Sequence, residues 1–385
     1  MPERLLLKNC LPYDARRNAA PIDLLLEDGR IAQMGPKLSA PPGAETLEAE
    51  GRVVAPGFID VHIQGAGGAD VLDGTTEALH TMARTLPRFG TTSFLATTAF
   101  HFNKPNHHLE VAARAVGKDL GGAHLLGIHL EGPFINPDKR GGMSPTCIGP
   151  PSSRTWGEVF RLTGDALKMM TIAPELNGAI PLVIELLGKG VVPSFGHSAA
   201  TYEQAAQGFA AGIRHVTHLF NAMAPFHHRV PGPLPAIAET KGVTVQLIAD
   251  GVHVHQAAVR LAWRLLGPQG IVCITDGIQA LGLPEGGYVY NGREYEARNG
   301  IARYLDGTLI GTAMGLNSLV RRLQLFTRCS LKQAIDTVTA NPARLLGLQR
   351  KGALAVGADA DLVVLEEGLA VWATIVGGKT RFRRE

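Results

Sequence analysis

Residues 58–62 read FIDVH, a short and mainly apolar run that predicts a buried β-strand with a polar side chain at its end. Similar runs recur along the chain, and most of them precede the pattern of a helix. The predicted strands are Phe58–His62, Thr92–Thr97, Leu125–Leu130, Lys168–Ala173, Val191–Phe195, Arg214–His218, Thr244–Ala249 and Ile271–Thr275. The clearest helices between them are Thr76–Phe89, Tyr202–Ala211 and His255–Leu266. Eight strands that alternate with helices predict an α/β fold with a parallel (β/α)8 TIM-like barrel.

An open, doubly wound sheet is the alternative architecture for such an alternation. Its dinucleotide-binding members carry a Gly-x-Gly-x-x-Gly turn after the first strand, and this chain has neither that turn nor a P-loop. Nucleotide binding therefore has no support, and the barrel is the favoured prediction.

The two ends of the chain contain short strands of their own. Two apolar runs within residues 22–31 are joined by Asp28-Gly29, which is a strong hairpin signal. Runs at 360–365 and 370–376 predict two more strands. Because neither end can bury a good core alone, we predict one small β-sandwich domain formed from residues 1–54 and 346–385. The barrel would then occupy residues 55–345.

The composition is that of a soluble globular protein, with 45% hydrophobic and 18% charged residues among 385. A net charge of +3 gives no reason to expect nucleic acid or a membrane surface as a partner. No run approaches the roughly 18 apolar residues that a membrane helix needs, and the N-terminus lacks the apolar core of a secretory signal. The four cysteines are far apart, so we expect no disulfide framework and a cytoplasmic location.

Polar side chains stand at the ends of four predicted strands. Glu131 follows the third strand, His197 the fifth and Asp276 the eighth, while His218 ends the sixth. In a barrel these positions converge on one rim. Two neutral imidazoles and a carboxylate are a set that binds a catalytic divalent metal ion and leaves a position for water. We therefore predict Glu131, His197 and His218 as metal ligands and Asp276 as the general acid/base.

Each of these residues also has an ordinary structural explanation. A lone buried histidine is more often a hydrogen-bonded structural residue than a ligand. Asp276 before a glycine is typical of a turn or a helix cap, and Glu131 before Gly-Pro is typical of a solvated loop. The metal site is favoured because four suitable side chains all fall at strand ends.

Other histidines differ in their expected roles. His253 follows the seventh strand and is predicted to contact substrate. The run His227-His228-Arg229 suits a solvated loop or an anion-binding loop, since arginine can bind phosphate through paired hydrogen bonds. Three more histidines are predicted to play no chemical role: His80 as a structural residue inside a helix, and His107 and His108 as solvated residues.

At these residues the sequence resembles the N-acetylglucosamine-6-phosphate deacetylases of the amidohydrolase superfamily. The resemblance covers essentially the whole chain and is most specific around Glu131 and His218. The matching segments are Pro56–His62, His129–Asn136, Gly196–Ser198, His218–Met223, Ala249–His253 and Thr275–Gly277. The closing segment Gly357–Val363 is typical of many amidohydrolases and marks the superfamily only.

The resemblance implies hydrolysis of the acetamide of N-acetylglucosamine 6-phosphate. It implies the same three metal ligands and the same role for Asp276. The sugar, its phosphate and its acetyl group would be contacted by Gly142, Met143, Asn221, Ala222, Arg229, His253, Leu309, Ile310 and Gly311. The resemblance also implies a homodimer, with the phosphate-binding arginine close to the subunit interface.

The first departure from the family pattern concerns the metal count. Some members carry His-x-His in the first strand and hold two metal ions, and others have lost both histidines and hold one. This chain has His62-x-Gln64. Because an amide is a weak ligand, one ion per chain is favoured, and a second one would need His62 together with Glu131 and Asp276. Zinc is the favoured metal, and iron, cobalt and manganese accept the same donors.

The second departure lies at Gly142-Met143, where many family members have Ala-His. That histidine would help to polarise the acetyl carbonyl, and a methionine cannot donate a hydrogen bond. Either the metal polarises the carbonyl alone, or Ser144 or a water assists. Alternatively the pocket suits another substrate, such as the galactosamine epimer, an N-acyl compound or a cyclic amide.

Overall fold

The structure, a computed structural model, describes residues 4–16, 19–290 and 292–385. The chain begins with five strands, β1 (Arg4–Pro12), β2 (Ile22–Glu27), β3 (Arg30–Gly35), β4 (Glu45–Glu48) and β5 (Val53–Pro56). β2 and β3 form the predicted hairpin. Asp28 and Gly29 at its turn have φ values of 47° and 75°. Positive φ at both positions matches the two-residue turns whose twist suits a hairpin.

The middle of the chain forms the barrel. In order it holds β6 (Phe58–Ile63), a small hairpin of β7 (Gly65–Ala66) and β8 (Ala69–Asp70), and then β9 (Thr91–Thr98), β10 (His124–Glu131), β11 (Leu167–Ile172), β12 (Val192–Phe195), β13 (His215–Val216), β14 (Thr244–Leu247) and β15 (Ile271–Cys273). β6 and β9 to β15 form one parallel sheet with the order β15-β14-β13-β12-β11-β10-β9-β6. The eight predicted strands and their order are therefore confirmed.

Contacts just past the paired residues of the strands join β6 and β15, the two end strands of this sheet. Ile63 and Gly277 form a parallel bridge, and the Thr275 hydroxyl donates to the buried carboxylate of Asp60. Burial raises the pKa of Asp60 to about 6, although Thr275 and the His62 backbone amide counteract it through hydrogen bonds. The sheet is thus nearly closed, and the carboxyl ends of its strands surround one rim.

Ten α-helices connect and cover the strands in the described part of the chain. They are α1 (Thr76–Thr85), α2 (His107–Ala115), α3 (Ser153–Thr163), α4 (Ala179–Gly188), α5 (Tyr202–Ala210), α6 (Leu234–Glu239), α7 (Gln256–Leu266), α8 (Leu316–Thr327), α9 (Leu331–Asp336) and α10 (Ala340–Leu345). The helix predicted at 76–89 ends at Thr85 and continues as a 3₁₀ turn over 86–89, where Pro87 lacks the N–H that an α-helix needs. No helix among these described residues is long and apolar enough to cross a membrane.

The sequence did not predict a four-stranded antiparallel sheet that follows the barrel. It consists of β16 (Gly286–Tyr290), β17 (Arg293–Arg298), β18 (Ile301–Tyr304) and β19 (Leu309–Thr312). Its inner face forms a small core of its own with Tyr295, Tyr304 and Ile310. The Thr312 amide donates to the Asp276 carbonyl at 2.9 Å, so this sheet is attached to the barrel rim.

The C-terminal strands are β20 (Leu362–Leu365), β21 (Val371–Val376) and β22 (Lys379–Arg383). They join the N-terminal strands in one mixed sheet with the order β22-β21-β20-β5-β1-β2-β3, and β4 pairs with β1. A sheet built from both termini is thus confirmed. β22 was not predicted as a strand.

The prediction that His108 is solvated is wrong. His108 lies in α2 with only 6% of its surface exposed, and its Nε2 donates to the Ala99 carbonyl at 2.9 Å. The reason is its position on the inner face of α2, beside buried Leu109 and Ala112. His107 is exposed as predicted. His80 has the structural role expected, since its Nδ1 is 2.9 Å from the Leu120 carbonyl.

We expect His108 to make the fold sensitive to acid. Burial lowers the pKa of His108 to about 4, whereas the unfolded chain titrates near 6.5. Stability is therefore lost as the pH falls from about 6.5 to about 4, by an amount on the order of 3 kcal/mol. His108→Gln should remove that part of the acid sensitivity, measured as unfolding free energy at pH 7 and pH 4.5. The exposed neighbour supplies the control, His107→Gln, and an unchanged pH dependence in His108→Gln would contradict the prediction.

Candidate active site

A cavity of about 230 Å³ opens at the carboxyl ends of the barrel strands. It brings together almost all of the residues that the sequence singled out. Those that line it are Glu131, Gly142, Met143, His197, His218, Asn221, Ala222, His253, Asp276, Leu309, Ile310 and Gly311. Arg229 is the exception, since it does not line this cavity.

Three side chains converge at the inner end of this cavity. Glu131 Oε1 lies 3.0 Å from His197 Nε2 and 3.1 Å from His218 Nε2, and the two Nε2 atoms are 3.0 Å apart. All three side chains are buried. Among the described residues they form the only group of three or more acidic, histidine or cysteine side chains that could hold a metal ion. One carboxylate and two imidazoles suit a divalent cation with room left for water.

Hydrogen bonds orient two of the imidazole rings at the site, those of His197 and His62. His197 Nδ1 donates to the Lys139 carbonyl at 2.7 Å, which leaves the Nε2 lone pair facing the cluster. His62 is held in the same way, because its Nδ1 donates to Gln246 Oε1 at 2.8 Å. Burial lowers the pKa of His218, so its ring is neutral and able to act as a ligand.

The backbone at the site is strained. His197, His218 and Asp276 have φ values of 49°, 27° and 47°, a region that L-residues with a Cβ seldom adopt. Such strain is kept only where the surrounding structure enforces it, and it concentrates at functional sites. The strand ends thus turn abruptly and direct these three side chains into the cavity.

A second group of polar atoms lies beside the three-residue cluster. His62 Nε2 is 3.3 Å from Asp276 Oδ1 and 3.6 Å from Glu131 Oε1. The amide nitrogen of Gln64 donates to Glu131 Oε2 at 3.3 Å and to Asp276 Oδ1 at 3.2 Å. The Gln64 amide therefore bridges the two carboxylates, at the place where a second cation would otherwise balance their charge.

The electrostatics of the site favour positive charge. Burial opposes the protonated form of His62, yet Glu131 and Asp276 raise its pKa to about 9. Burial likewise opposes the charged form of Glu131, but the neighbouring histidines hold the pKa of this carboxyl well below its usual range. The Glu131 carboxylate thus stays ionised and stabilises a cation beside it.

Backbone contacts fix Asp276 in this cluster. Its amide donates to the His62 carbonyl at 3.0 Å, and its carbonyl accepts from the Thr312 amide at 2.9 Å. Gly311 has a φ of 130°, and a Cβ there would stand 2.3 Å from the Asp276 carbonyl oxygen. A glycine is therefore required at 311 for β19 to approach the Asp276 loop so closely.

Another part of the cavity wall carries a buried Asp–His pair. His253 Nδ1 lies 2.6 Å from Asp250 Oδ2, while the other Asp250 oxygen accepts from the backbone amides of Val252 and His253. The Arg322 side chain donates to the Asp250 carbonyl at 2.6 Å. His253 Nε2 is buried and has no partner among the described residues. The pair thus leaves one ring nitrogen of His253 for a ligand.

Arg229 lies outside the cavity on an exposed segment. Its neighbours Phe226 and Val230 are 59% and 65% exposed, which is unusual for large apolar side chains. His227 and His228 are exposed as well, which fits the solvated loop considered from the sequence. Within one copy of the chain, the structure does not bring Arg229 to the other predicted substrate contacts.

Three of the residues near the site that sequence reasoning missed are Arg140, Tyr290 and Gln246. Arg140 lines the cavity and its guanidinium donates to the Met143 carbonyl at 2.9 Å, and Tyr290 lines it from β16. Gln246 holds the His62 ring from inside the barrel. A signal existed for Gln246, since a polar residue within an apolar strand run is unexpected. No local sequence signal indicates that Tyr290 reaches the rim. β16 follows the last barrel strand, so Tyr290 lies outside the alternation of strands and helices that predicts rim residues.

Comparison with known proteins agrees with this geometry. The model of the amidohydrolase family matches residues 53–381. N-acetylglucosamine-6-phosphate deacetylase of Lysinibacillus sphaericus is 34% identical over 381 residues, covering 98% of this chain and 97% of that protein. N-acetylgalactosamine-6-phosphate deacetylase of Escherichia coli O157:H7 is 32% identical over 361 residues, covering 92% of this chain and 93% of that protein.

A solved structure is similar over its full length. It is a mutant N-acetyl-D-glucosamine-6-phosphate deacetylase from Mycobacterium smegmatis in complex with N-acetyl-D-glucosamine-6-phosphate. Its TM-score is 0.88 at 31% identity, with 99% of each chain covered. The chain therefore belongs to the amidohydrolase family of metal-dependent hydrolases and, within it, to the N-acetylglucosamine-6-phosphate deacetylases.

Proposed function

We propose that this protein hydrolyses the acetamide of N-acetylglucosamine 6-phosphate to glucosamine 6-phosphate and acetate. The observation that carries the proposal is that one cavity holds two sets of polar groups. Glu131, His197, His218 and Asp276 suit amide hydrolysis. His253, with Asn221 and the Ala222 backbone, suits the phosphate and the sugar. The compound bound to the Mycobacterium smegmatis relative carries both an amide and a phosphate.

The Glu131, His197 and His218 cluster would hold the cation. Its carboxylate and two imidazoles are ligands that suit a divalent metal ion. When bound, a divalent ion supplies Lewis acidity and lowers the pKa of a bound water toward neutrality. Asp276 removes a proton from the attacking water, and the same carboxyl then protonates the departing nitrogen. His62 and Gln64 keep the Asp276 carboxylate in place through the contacts described above. Leu309, Ile310 and Gly311 form the wall against which the sugar ring packs.

We propose one zinc ion per chain. Zinc favours a mixed set of imidazole and carboxylate ligands, and metal analysis would separate it from iron, cobalt and manganese. The Gln64 amide lies beside His62 with its nitrogen turned to the two carboxylates, and an amide is at most a weak ligand for a second cation.

We expect Gln64→His to raise the metal content from one to two ions per chain. An imidazole at 64 would supply the ligand that completes a second site with His62 and Asp276. The measurement is elemental analysis of protein reconstituted with excess zinc and then desalted. Gln64→Leu is the matched control and should stay at one ion, because it removes the amide without adding a ligand. Two ions in the unaltered protein would contradict the role given to Gln64.

We propose a homodimer in which Arg229 completes the phosphate site. Arg229 lies beside the exposed apolar side chains of Phe226 and Val230, and such side chains are typical of a surface that another chain covers. Contact between two copies at this segment would bury those side chains and bring Arg229 toward a cavity. We place the enzyme in the cytoplasm, because its substrate is a phosphorylated sugar.

Acetate release tests the proposed function. We expect N-acetylglucosamine 6-phosphate to be hydrolysed with a kcat/KM at least about 100-fold higher than N-acetylglucosamine without the phosphate, since charge-assisted hydrogen bonds to the phosphate would be lost. Equal rates would favour another amidohydrolase activity instead. The galactosamine epimer is the second candidate, favoured by the similarity to the Escherichia coli enzyme. A higher kcat/KM for that epimer would replace glucosamine with galactosamine in the proposal.

A further inference from the structure

Tyr290 stands in the cavity wall with its hydroxyl unused. It ends β16 in the unpredicted four-stranded sheet and lines the cavity together with Glu131, Asp276 and Met143. Within the described part of the chain, its hydroxyl makes no hydrogen bond. A buried phenol usually finds a hydrogen-bond partner, and a ligand bound in the cavity would supply one.

Tyr290 lines the same cavity as the three-residue cluster and Asp276. Burial raises the pKa of Tyr290 well above its ordinary value of 10, and the charges of Asp70, Glu131 and Asp276 add to this effect. The hydroxyl is therefore protonated and able to donate. Because Tyr290 lines the same cavity as Glu131 and Asp276, its side chain is placed to contact a substrate bound there.

The ring is held firmly by its own sheet. Tyr290 packs against the buried cluster that includes Tyr295, Tyr304 and Ile310. The amide of Gln279 donates to the Val289 carbonyl and ties β16 to the loop after Asp276. A donor held in this way needs little rearrangement when charge develops on a nearby oxygen.

Other side chains of the wall are less suited to donate to the acyl carbonyl. Met143 has no donor. The Ser144 hydroxyl is paired with the Thr146 hydroxyl at 2.9 Å, and the exposed Arg140 side chain uses one of its five N–H donors on the Met143 carbonyl. Thr98 also has an unpartnered hydroxyl, on a much shorter side chain at the end of β9.

On the basis of the proposed deacetylation, we infer that the Tyr290 hydroxyl donates a hydrogen bond to the acetyl carbonyl oxygen of the substrate. It would thereby supply the donor that many relatives are expected to take from a histidine at the position of Met143. Negative charge grows on that oxygen as water adds to the carbonyl carbon, so the hydrogen bond strengthens in the transition state. Tyr290 would then be a catalytic residue that contacts the reacting carbonyl group.

The test is a kinetic comparison of Tyr290→Phe with the unaltered enzyme on N-acetylglucosamine 6-phosphate. The loss of one such donor should lower kcat by about 10²–10³-fold and change KM little. Tyr288→Phe is the matched control, because Tyr288 lies on the same strand and its hydroxyl donates to the Pro284 carbonyl outside the cavity. Its kcat should equal that of the unaltered enzyme.

Rescue separates a catalytic role from a structural one. Adding Met143→His to Tyr290→Phe should restore kcat at least about tenfold, since an imidazole would replace the lost donor. In addition, the N-trifluoroacetyl analogue has a more electrophilic carbonyl and should show a smaller loss in Tyr290→Phe. A purely structural defect would be neither rescued nor dependent on the acyl group.

The possible outcomes are distinct. Equal kcat for Tyr290→Phe and the unaltered enzyme would overturn the inference and leave the proposed function intact. A loss of kcat in Thr98→Val with none in Tyr290→Phe would assign the donor to Thr98 instead. No acetate release by the unaltered enzyme would overturn the proposed function, and the inference with it.

Discussion

Asp276→Asn is expected to lower kcat on N-acetylglucosamine 6-phosphate by about 10²–10⁴-fold, which is the range that a positioned acid/base contributes. The amide has nearly the shape of the carboxylate, but it neither accepts a proton from water nor returns one to the amine. Its oxygen can still accept from the Gln64 amide, and the backbone bonds to His62 and Thr312 do not involve the side chain. The fold and the position of residue 276 should therefore be kept.

Metal content distinguishes this effect from damage to the site. Asp276→Asn should retain one ion per chain, because Glu131, His197 and His218 are unchanged. Asp306→Asn, at an exposed position on the four-stranded sheet, should match the unaltered enzyme in both metal content and kcat. Normal turnover in Asp276→Asn would disprove the assigned role, and loss of the metal from that variant would make Asp276 a ligand.

His218→Gln is expected to abolish metal retention and, with it, most of the activity. Removing a ligand should weaken binding by more than the roughly 10–100-fold that the loss of an outer hydrogen-bond partner costs. Metal content after desalting should fall from one ion per chain to a small fraction. Elemental analysis and acetate release, measured on the same sample, should fall together.

Thermal unfolding gives an independent readout for the same variant. A ligand that binds only the folded state raises the Tm with its concentration. Added zinc should therefore raise the Tm of the unaltered enzyme but not that of His218→Gln. His253→Gln serves as the control, since His253 lies in the cavity but outside the cluster, and its Tm should still respond to zinc. A zinc response in His218→Gln equal to that of the unaltered enzyme would contradict the ligand assignment.

Local patterns were sufficient to predict the barrel and to single out side chains that meet at its rim. Each barrel strand is a short apolar run. Because the carboxyl ends of parallel barrel strands lie at one rim, the residue at or just past each strand end is found there. Glu131, His197, His218 and Asp276 were singled out for this reason, and the structure places all four in one cavity. The Asp28-Gly29 hairpin was found because its turn residues tolerate positive φ.

The features that were missed depend on contacts that are distant in the sequence. β16 to β19 alternate polar and apolar residues over very short spans, and nothing near Tyr290 indicates that it reaches the cavity. His108 was misjudged because it was considered with its neighbour His107 instead of with the inner face of α2. Arg229 lies outside the cavity of its own chain, so its contact with the phosphate stays a prediction. The role of Gln64 could be seen only when the carboxylates on either side of it had been placed.

The central claim is that one cation held by Glu131, His197 and His218 enables Asp276 to hydrolyse the amide of a sugar phosphate. The most direct test is acetate release from N-acetylglucosamine 6-phosphate as zinc is added back to chelator-treated enzyme. We predict no activity without metal and a rise that reaches its plateau at one equivalent per chain. Full acetate release by the metal-free enzyme would contradict the claim.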